Sequence, residues 1–214
     1  MSIFAWLFPE KCVLCQKLLQ RQELDLCHDC RIHAPECPLM HVKYPFLHRW
    51  TALWYYEDHA RESLLRYKFL GRRHYAASYG RLLAMKLQKE DRLDVDLITW
   101  IPISKKRRWK RGFDQVELLA KKMGQELSMP PVATLEKVRH NTQQSRIIGN
   151  AQRRANVLGA YRVLDAEAIA GKRILLLDDI LTTGATAGEC ARVLLTAGAK
   201  EVHLAVLAVA RQHK

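Results

Sequence analysis

Residues 174–186 read ILLLDDILTTGAT: four aliphatic side chains, two adjacent aspartates, then a hydroxyl-rich turn around one glycine. No other stretch restricts the fold as tightly. The uninterrupted aliphatic run predicts a strand buried on both faces, the habit of parallel sheets covered by helices. Two neighbouring carboxylates cannot both be buried without partners, because an unpartnered buried charge costs several kcal/mol. The strand 174–177 delivers Asp178 and Asp179 to the carboxyl edge of the sheet, where they need sugar hydroxyls, a cation or water. In an open parallel sheet that edge is where ligands bind. The turn from Thr182 to Thr186 runs into ATAGECARVLLTAG, whose spacing predicts a helix starting near Gly184. Backbone N–H groups at such a start point outward at the positive end of the helix dipole and form an anion cradle.

Acids suited to sugar hydroxyls, followed by a cradle suited to phosphate, together describe a ribose 5-phosphate site. A Walker-type phosphate loop is excluded, since GK[ST] is missing. The thirteen residues resemble the signature of type I phosphoribosyltransferases, which bind 5-phosphoribosyl 1-diphosphate. The resemblance implies that Asp178 and Asp179, the catalytic pair, hold the ribose hydroxyls. It also implies that Thr182, Thr183, Gly184, Ala185 and Thr186 grip the 5′-phosphate, with Mg2+ accompanying the diphosphate. Purine-salvage members carry an aspartate where this chain has Thr182, which argues against a hypoxanthine- or guanine-type enzyme.

Elsewhere strands and helices alternate. TALWYYEDHA reads as an aromatic strand ending at Asp58, a helix N-cap, and HARESLLRYKF has helical spacing. A second helix is expected over RHYAASYGRLLAMKLQK. DLITWIPIS reads as a buried strand stopped by Pro102. KKRRWKRG is then a basic turn before the amphipathic helix FDQVELLAKKMGQEL. PVATLEKV, AYRVL, RILLLD and EVHLAVLAVA are further strands, and residues 139–157 form a long polar loop, a candidate lid. The expected fold class is α/β, a phosphoribosyltransferase-like parallel sheet flanked by helices over residues 50–214. A small zinc-ribbon module is expected over residues 1–45.

That module rests on CVLC and CHDC, which give Cys12 and Cys15, eleven intervening residues, then Cys27 and Cys30. Two such knuckles complete a four-thiolate zinc site, and the metal would supply folding free energy to a stretch without an evident core. A thioredoxin-like redox reading lacks the surrounding βαβ pattern. Cys37 is spare, His28, His33 and His41 are substitute ligands, and Cys190 falls on a helical core face. No stretch approaches a membrane span, the opening IFAWLF is too short for one, and paired cysteines as metal ligands fit the cytoplasm.

The formal net charge of +13 points to a polyanionic partner. Six of the seven residues from Lys105 to Arg111 are basic, interrupted by Trp109. Placed after a central strand, Lys105, Arg107, Arg108 and Arg111 suit a diphosphate, and with the aromatic they equally suit single-stranded DNA. Lys68 is a further candidate for either anion. The double knuckle, RYKF, PISKKRRWKRGFDQVELLAK and the terminal signature, in this order, resemble the ComF (ComFC-type) competence proteins along essentially the whole chain. In that family the characteristic positions fall on Lys68, Arg108, Arg111, Gly112 and Gln115, while Thr142, Gln144, Arg153 and Asn156 match its lid motif loosely. The resemblance implies binding of 5-phosphoribosyl 1-diphosphate and handling of single-stranded DNA during uptake, with a helicase-like competence partner. A phosphoribosyl-transferring enzyme, an inactive sensor of the sugar diphosphate, and a zinc-ribbon adaptor for a DNA-translocating complex all remain open. No residue stands out as a base for an acceptor.

Overall fold

The computed structural model describes residues 9–40, 42–139 and 155–211. The apolar opening, His41, and the lid positions Thr142, Gln144 and Arg153 lie outside the described residues. Four parallel strands form the central sheet: β1 (Arg49–Tyr55), β2 (Leu97–Trp100), β5 (Arg173–Leu181) and β6 (Glu201–Val209). Their order across the sheet is β1-β6-β5-β2. Alternation along β5 and β6 sorts the core into two layers. Leu175, Leu177, Ala205 and Leu207 face a cluster shared with helices α2 (Asp58–Phe69), α3 (Tyr75–Lys89) and α5 (Gln115–Glu126). Ile174, Leu176, Val202, Leu204 and Val206 face α6 (Ala185–Thr196) and its Ala187, Cys190, Ala191 and Leu194. Cys190 is fully buried there, as its place on the helix predicts.

Three sequence expectations change. Asp58 does not cap α2: it is the first helical residue, with φ 45°, and Glu57 occupies the N-cap without a side-chain cap bond. Glu57 is instead committed to Arg211, whose Nη2 donates to it at 2.7 Å. The basic turn is a short helix, α4 (Lys105–Arg111). Ser104 caps it by accepting from the Arg107 N–H, and Gly112 ends it at φ 72°, where a Cβ is disfavoured. Four of its charges face solvent, which weakens their mutual repulsion, and Arg108 pairs with Glu117 at 3.0 Å. Finally, β3 (Leu135–Lys137) and β4 (Tyr161–Val163) leave the parallel sheet and pair with each other as an antiparallel ribbon.

The cysteine segment, including α1 (His28–His33), takes its core from the larger unit. Val13, Leu14 and Leu26 belong to the same apolar cluster as α2 and α3. Ser63 and Arg66 on α2 donate to the Val13 and Leu14 carbonyls, and Arg81 on α3 forks onto Asp25 at 2.5 and 3.0 Å. Downstream, the Cys37 N–H donates to Leu53 O and the Tyr55 N–H to Pro35 O, laying this segment along β1. Among the described residues, no helix is long and apolar enough to cross a membrane.

Candidate functional site

The carboxyl ends of β5 and β2 open into a cleft of about 480 Å³. The cleft is lined by Asp178 and Asp179 of β5, Lys68 and Phe69 of α2, Arg107 and Arg111 of α4, and Lys137 and Tyr161 of the ribbon. Of the five basic residues expected at the anion site, Lys68, Arg107 and Arg111 line this cleft. Lys105 and Arg108 are exposed on the outer side of α4. Thr182 and Thr186 reach the cleft, whereas Thr183, Gly184 and Ala185 border an adjoining hollow with Pro45, Phe46 and Arg192.

The two acids differ in their partners. Asp179 is buried, and both of its oxygens are engaged: Lys68 Nζ donates to Oδ1 at 2.8 Å and Gln115 Nε2 to Oδ2 at 2.8 Å. Burial alone would raise its pKa, but the Lys68 ammonium, the Gln115 amide and the nearby Arg111 outweigh that and hold it below the usual carboxylate range. Among the described residues, Asp178 has no side-chain cation at hydrogen-bond distance; its Oδ1 accepts the Asp179 N–H at 2.8 Å. Burial first, and the Asp179 charge second, push its pKa up to about 8. The pair therefore carries about one negative charge near neutrality, as closely spaced carboxylates tend to do.

Lys137, in the ribbon, is a half-buried ammonium whose Nζ donates to Tyr161 OH at 3.0 Å and lies 4.8 Å from that ring's centroid. Burial and then Arg107 lower its pKa. Neither Lys137 nor Tyr161 has a motif around it, so the sequence does not announce either. Arg111 is likewise lowered by burial, and its guanidinium lies 5.1 Å from the Phe69 ring centroid. With Arg107, these groups place positive charge in the same cleft as the acid pair.

The loop after β5 is tightly specified. Gly184 has φ 76° at the N-cap of α6, and a Cβ there would overlap the Tyr44 ring. Its carbonyl accepts the Gly188 N–H at 2.7 Å, and Thr183 Oγ1 accepts the Ala185 N–H at 3.4 Å. Gly184 thus opens a twelve-residue helix, whose start carries the positive end of the helix dipole.

In the cysteine segment, the sulfurs of Cys12, Cys15, Cys27 and Cys30 all lie within 4.8 Å of one another, close enough to share one metal ion. Cys37 is buried apart from them, with its Sγ near the Pro38 carbonyl at 3.5 Å. Burial pushes Cys15 and Cys30 up, and neighbouring thiols push Cys30 further. Cys12 is the exception: N–H groups of Cys15, Cys27 and Leu14 outweigh its burial and lower it. A thiolate is favoured at Cys12 while Cys15 and Cys30 resist following it, so the cluster fits a cation better than it fits free thiols.

Residues 111–214 match the family described as Phosphoribosyl transferase domain. The chain is 31% identical over 202 residues to Competence protein ComFC of Streptococcus pneumoniae, covering 94% of this chain and 81% of that protein. The chain belongs to the ComF family. This ComF chain is also 28% identical to DNA utilization protein YhgH of Salmonella typhimurium and 24% identical to Competence protein F of Haemophilus influenzae. Each of these matches covers 90% of this chain and 87% of the relative. Within the phosphoribosyltransferase superfamily, the ComF chain thus joins a four-cysteine cluster to a parallel sheet with an acid-lined cleft.

Proposed function

We propose that the cleft binds 5-phosphoribosyl 1-diphosphate and that the protein acts in the handling of single-stranded DNA during DNA uptake. The observation that carries the ligand is the meeting of three parts at one sheet edge: the acid pair, the Gly184 turn opening α6, and the cations Arg107 and Arg111. On this reading Asp178 and Asp179 face the ribose hydroxyls, and residues Thr182 to Thr186 offer N–H and hydroxyl donors to the 5′-phosphate. Arg107 and Arg111 face the diphosphate. Mg2+ bound with the substrate would neutralise charge on the diphosphate leaving group and would require few protein ligands. If transfer to an acceptor occurs, the C1′–O bond to diphosphate breaks as the acceptor bonds to C1′. The four cysteines hold structural zinc.

Calorimetry with the sugar diphosphate and magnesium tests the site, followed by a pyrophosphate-release assay against bases and single-stranded DNA. Asp179→Ala is expected to weaken binding by on the order of 2–4 kcal/mol, since it removes charge-assisted hydrogen bonds from a partly dry site. Failure of the wild-type protein to bind at millimolar concentration would leave the motif a relic of the fold and favour an adaptor role.

The DNA half of the reading is supported by the relatives' names and by α4. Trp109 is 87% exposed there, among exposed Lys105, Lys106, Arg108 and Lys110. An exposed indole between cations suits base stacking beside phosphate contacts. Neutralising three of the basic residues should reduce the slope of log K against log salt by roughly two, at ~0.7 per lost contact with a single strand. An unchanged slope would place the nucleic-acid surface elsewhere.

A further inference from the structure

Gln115 is the first residue of α5, directly after the cap Asp114, and it is 2% exposed while lining the cleft. Asp114 accepts the N–H groups of Val116, Glu117 and Ile103, and Tyr67 OH donates to the Gln115 carbonyl at 2.6 Å. The backbone carrying Gln115 is therefore fixed from both sides. Its side-chain amide has one orientation open to it. Lys68 keeps Asp179 ionised, an ionised carboxylate only accepts, and so Gln115 must turn its NH2 towards Asp179 Oδ2. That choice sends Oε1 the other way. Oε1 is buried and has no hydrogen-bond partner among the described residues. An unmet buried acceptor is a standing penalty, and at a cleft wall it marks a place for a missing donor.

We propose that Gln115 is a binding residue of the cleft, its free carbonyl oxygen accepting a hydroxyl of the bound pentose beside Asp179. The proposal rests on the phosphoribosyl reading above and adds the basis of its selectivity. A vicinal diol offers two donors; the Asp179 oxygens, each with a lone pair left beyond the bonds from Lys68 and Gln115, and the unmet Gln115 Oε1 are acceptors for them. Lys68 is the positioning residue of this arrangement, because it fixes which end of the amide faces inward. A site built to hydrogen-bond a hydroxyl strongly rejects the analogue that lacks it, since its buried acceptor is then left unpaired. Such a cleft takes ribose phosphates and refuses deoxyribose, which matters for a protein set beside DNA.

The test is calorimetry, with magnesium present, of ribose 5-phosphate, 2-deoxyribose 5-phosphate and 3-deoxyribose 5-phosphate against wild type and Gln115→Met. Wild type should bind one of the deoxy sugars roughly 5- to 100-fold more weakly than ribose 5-phosphate, the range for a buried partner left unpaired. Gln115→Met should bind ribose 5-phosphate weaker by a similar factor and lose that discrimination. Unchanged affinity in the variant, or discrimination that survives it, overturns the proposal while leaving the phosphoribosyl reading in place. Absence of binding by wild type to both ribose 5-phosphate and the sugar diphosphate overturns the reading itself. If Gln115→Met does not fold, the wild-type ratios decide, and ratios near one for both deoxy sugars overturn the proposal.

Discussion

The cysteine cluster and the acid pair both crowd groups that become anionic, and the fold treats them oppositely. At the sheet edge the counter-charge is internal: Lys68 reaches from α2 to Asp179 at 2.8 Å, and Gln115 adds a second donor. In the cysteine cluster, Lys17 feels two of the thiols but is ion-paired with Asp29 at 2.7 Å. The contrast separates two kinds of site. One is preformed, with its charge balanced by side chains of the fold. The other gathers four sulfurs within 4.8 Å of one another, a donor set whose charge a metal ion would balance.

The contrast breaks most visibly at the cysteines. Cys12→Ser should abolish stoichiometric zinc in elemental analysis and lower stability by upward of ~4 kcal/mol in thermal unfolding. Because Val13 and Leu14 pack into the α2–α3 cluster, the loss should spread beyond the cysteine segment. Full stability and no metal in carefully reduced wild-type protein would sink the cation-completed view.

A smaller effect of opposite sign is expected at the sheet edge. Asp178 titrates near 8 in the fold against an ordinary 3.8, so the folded state favours the neutral acid. The resulting cost to stability is absent below the ordinary value, grows as pH rises, and is complete above about 8. Asp178→Asn should therefore raise the Tm of the unliganded protein near pH 7.5 and change it little near pH 4. An equal gain at both pH values would mean that packing, not protonation, is responsible.

What the sequence discloses about this site is what lies close together in it. Strand, acids, turn and helix start are contiguous from Ile174 to Thr186, and their order alone predicts the architecture of the edge. The four cysteines are legible for the same reason. The partners of Asp179 are not, because Lys68 and Gln115 stand 111 and 64 residues away and only the packing of α2 and α5 brings them in. Lys137 and Tyr161 are invisible for a different reason: PVATLEKV and AYRVL read as strands of the main sheet, whereas they form a separate ribbon that carries both residues to the cleft. In α4, six like charges mask a helix whose existence depends on Ser104 and Gly112 at its two ends.

The order of the sheet also bears on how the chain reaches this state. β6 lies between β1 and β5, so β1 pairs with a strand that follows it by about 150 residues, as in the register of Arg49 with His203. β1 is buried at five consecutive positions from Trp50 to Trp54 and remains without its neighbour until Glu201–Val209 has been synthesised. Closing so long a loop carries an entropy cost before any contact rewards it, which slows folding and lengthens the time an apolar strand stands open to self-association. A chain interrupted before Glu201 would lose the contacts of β1 and β5 with β6 together, leaving fragments prone to aggregate rather than a smaller working unit.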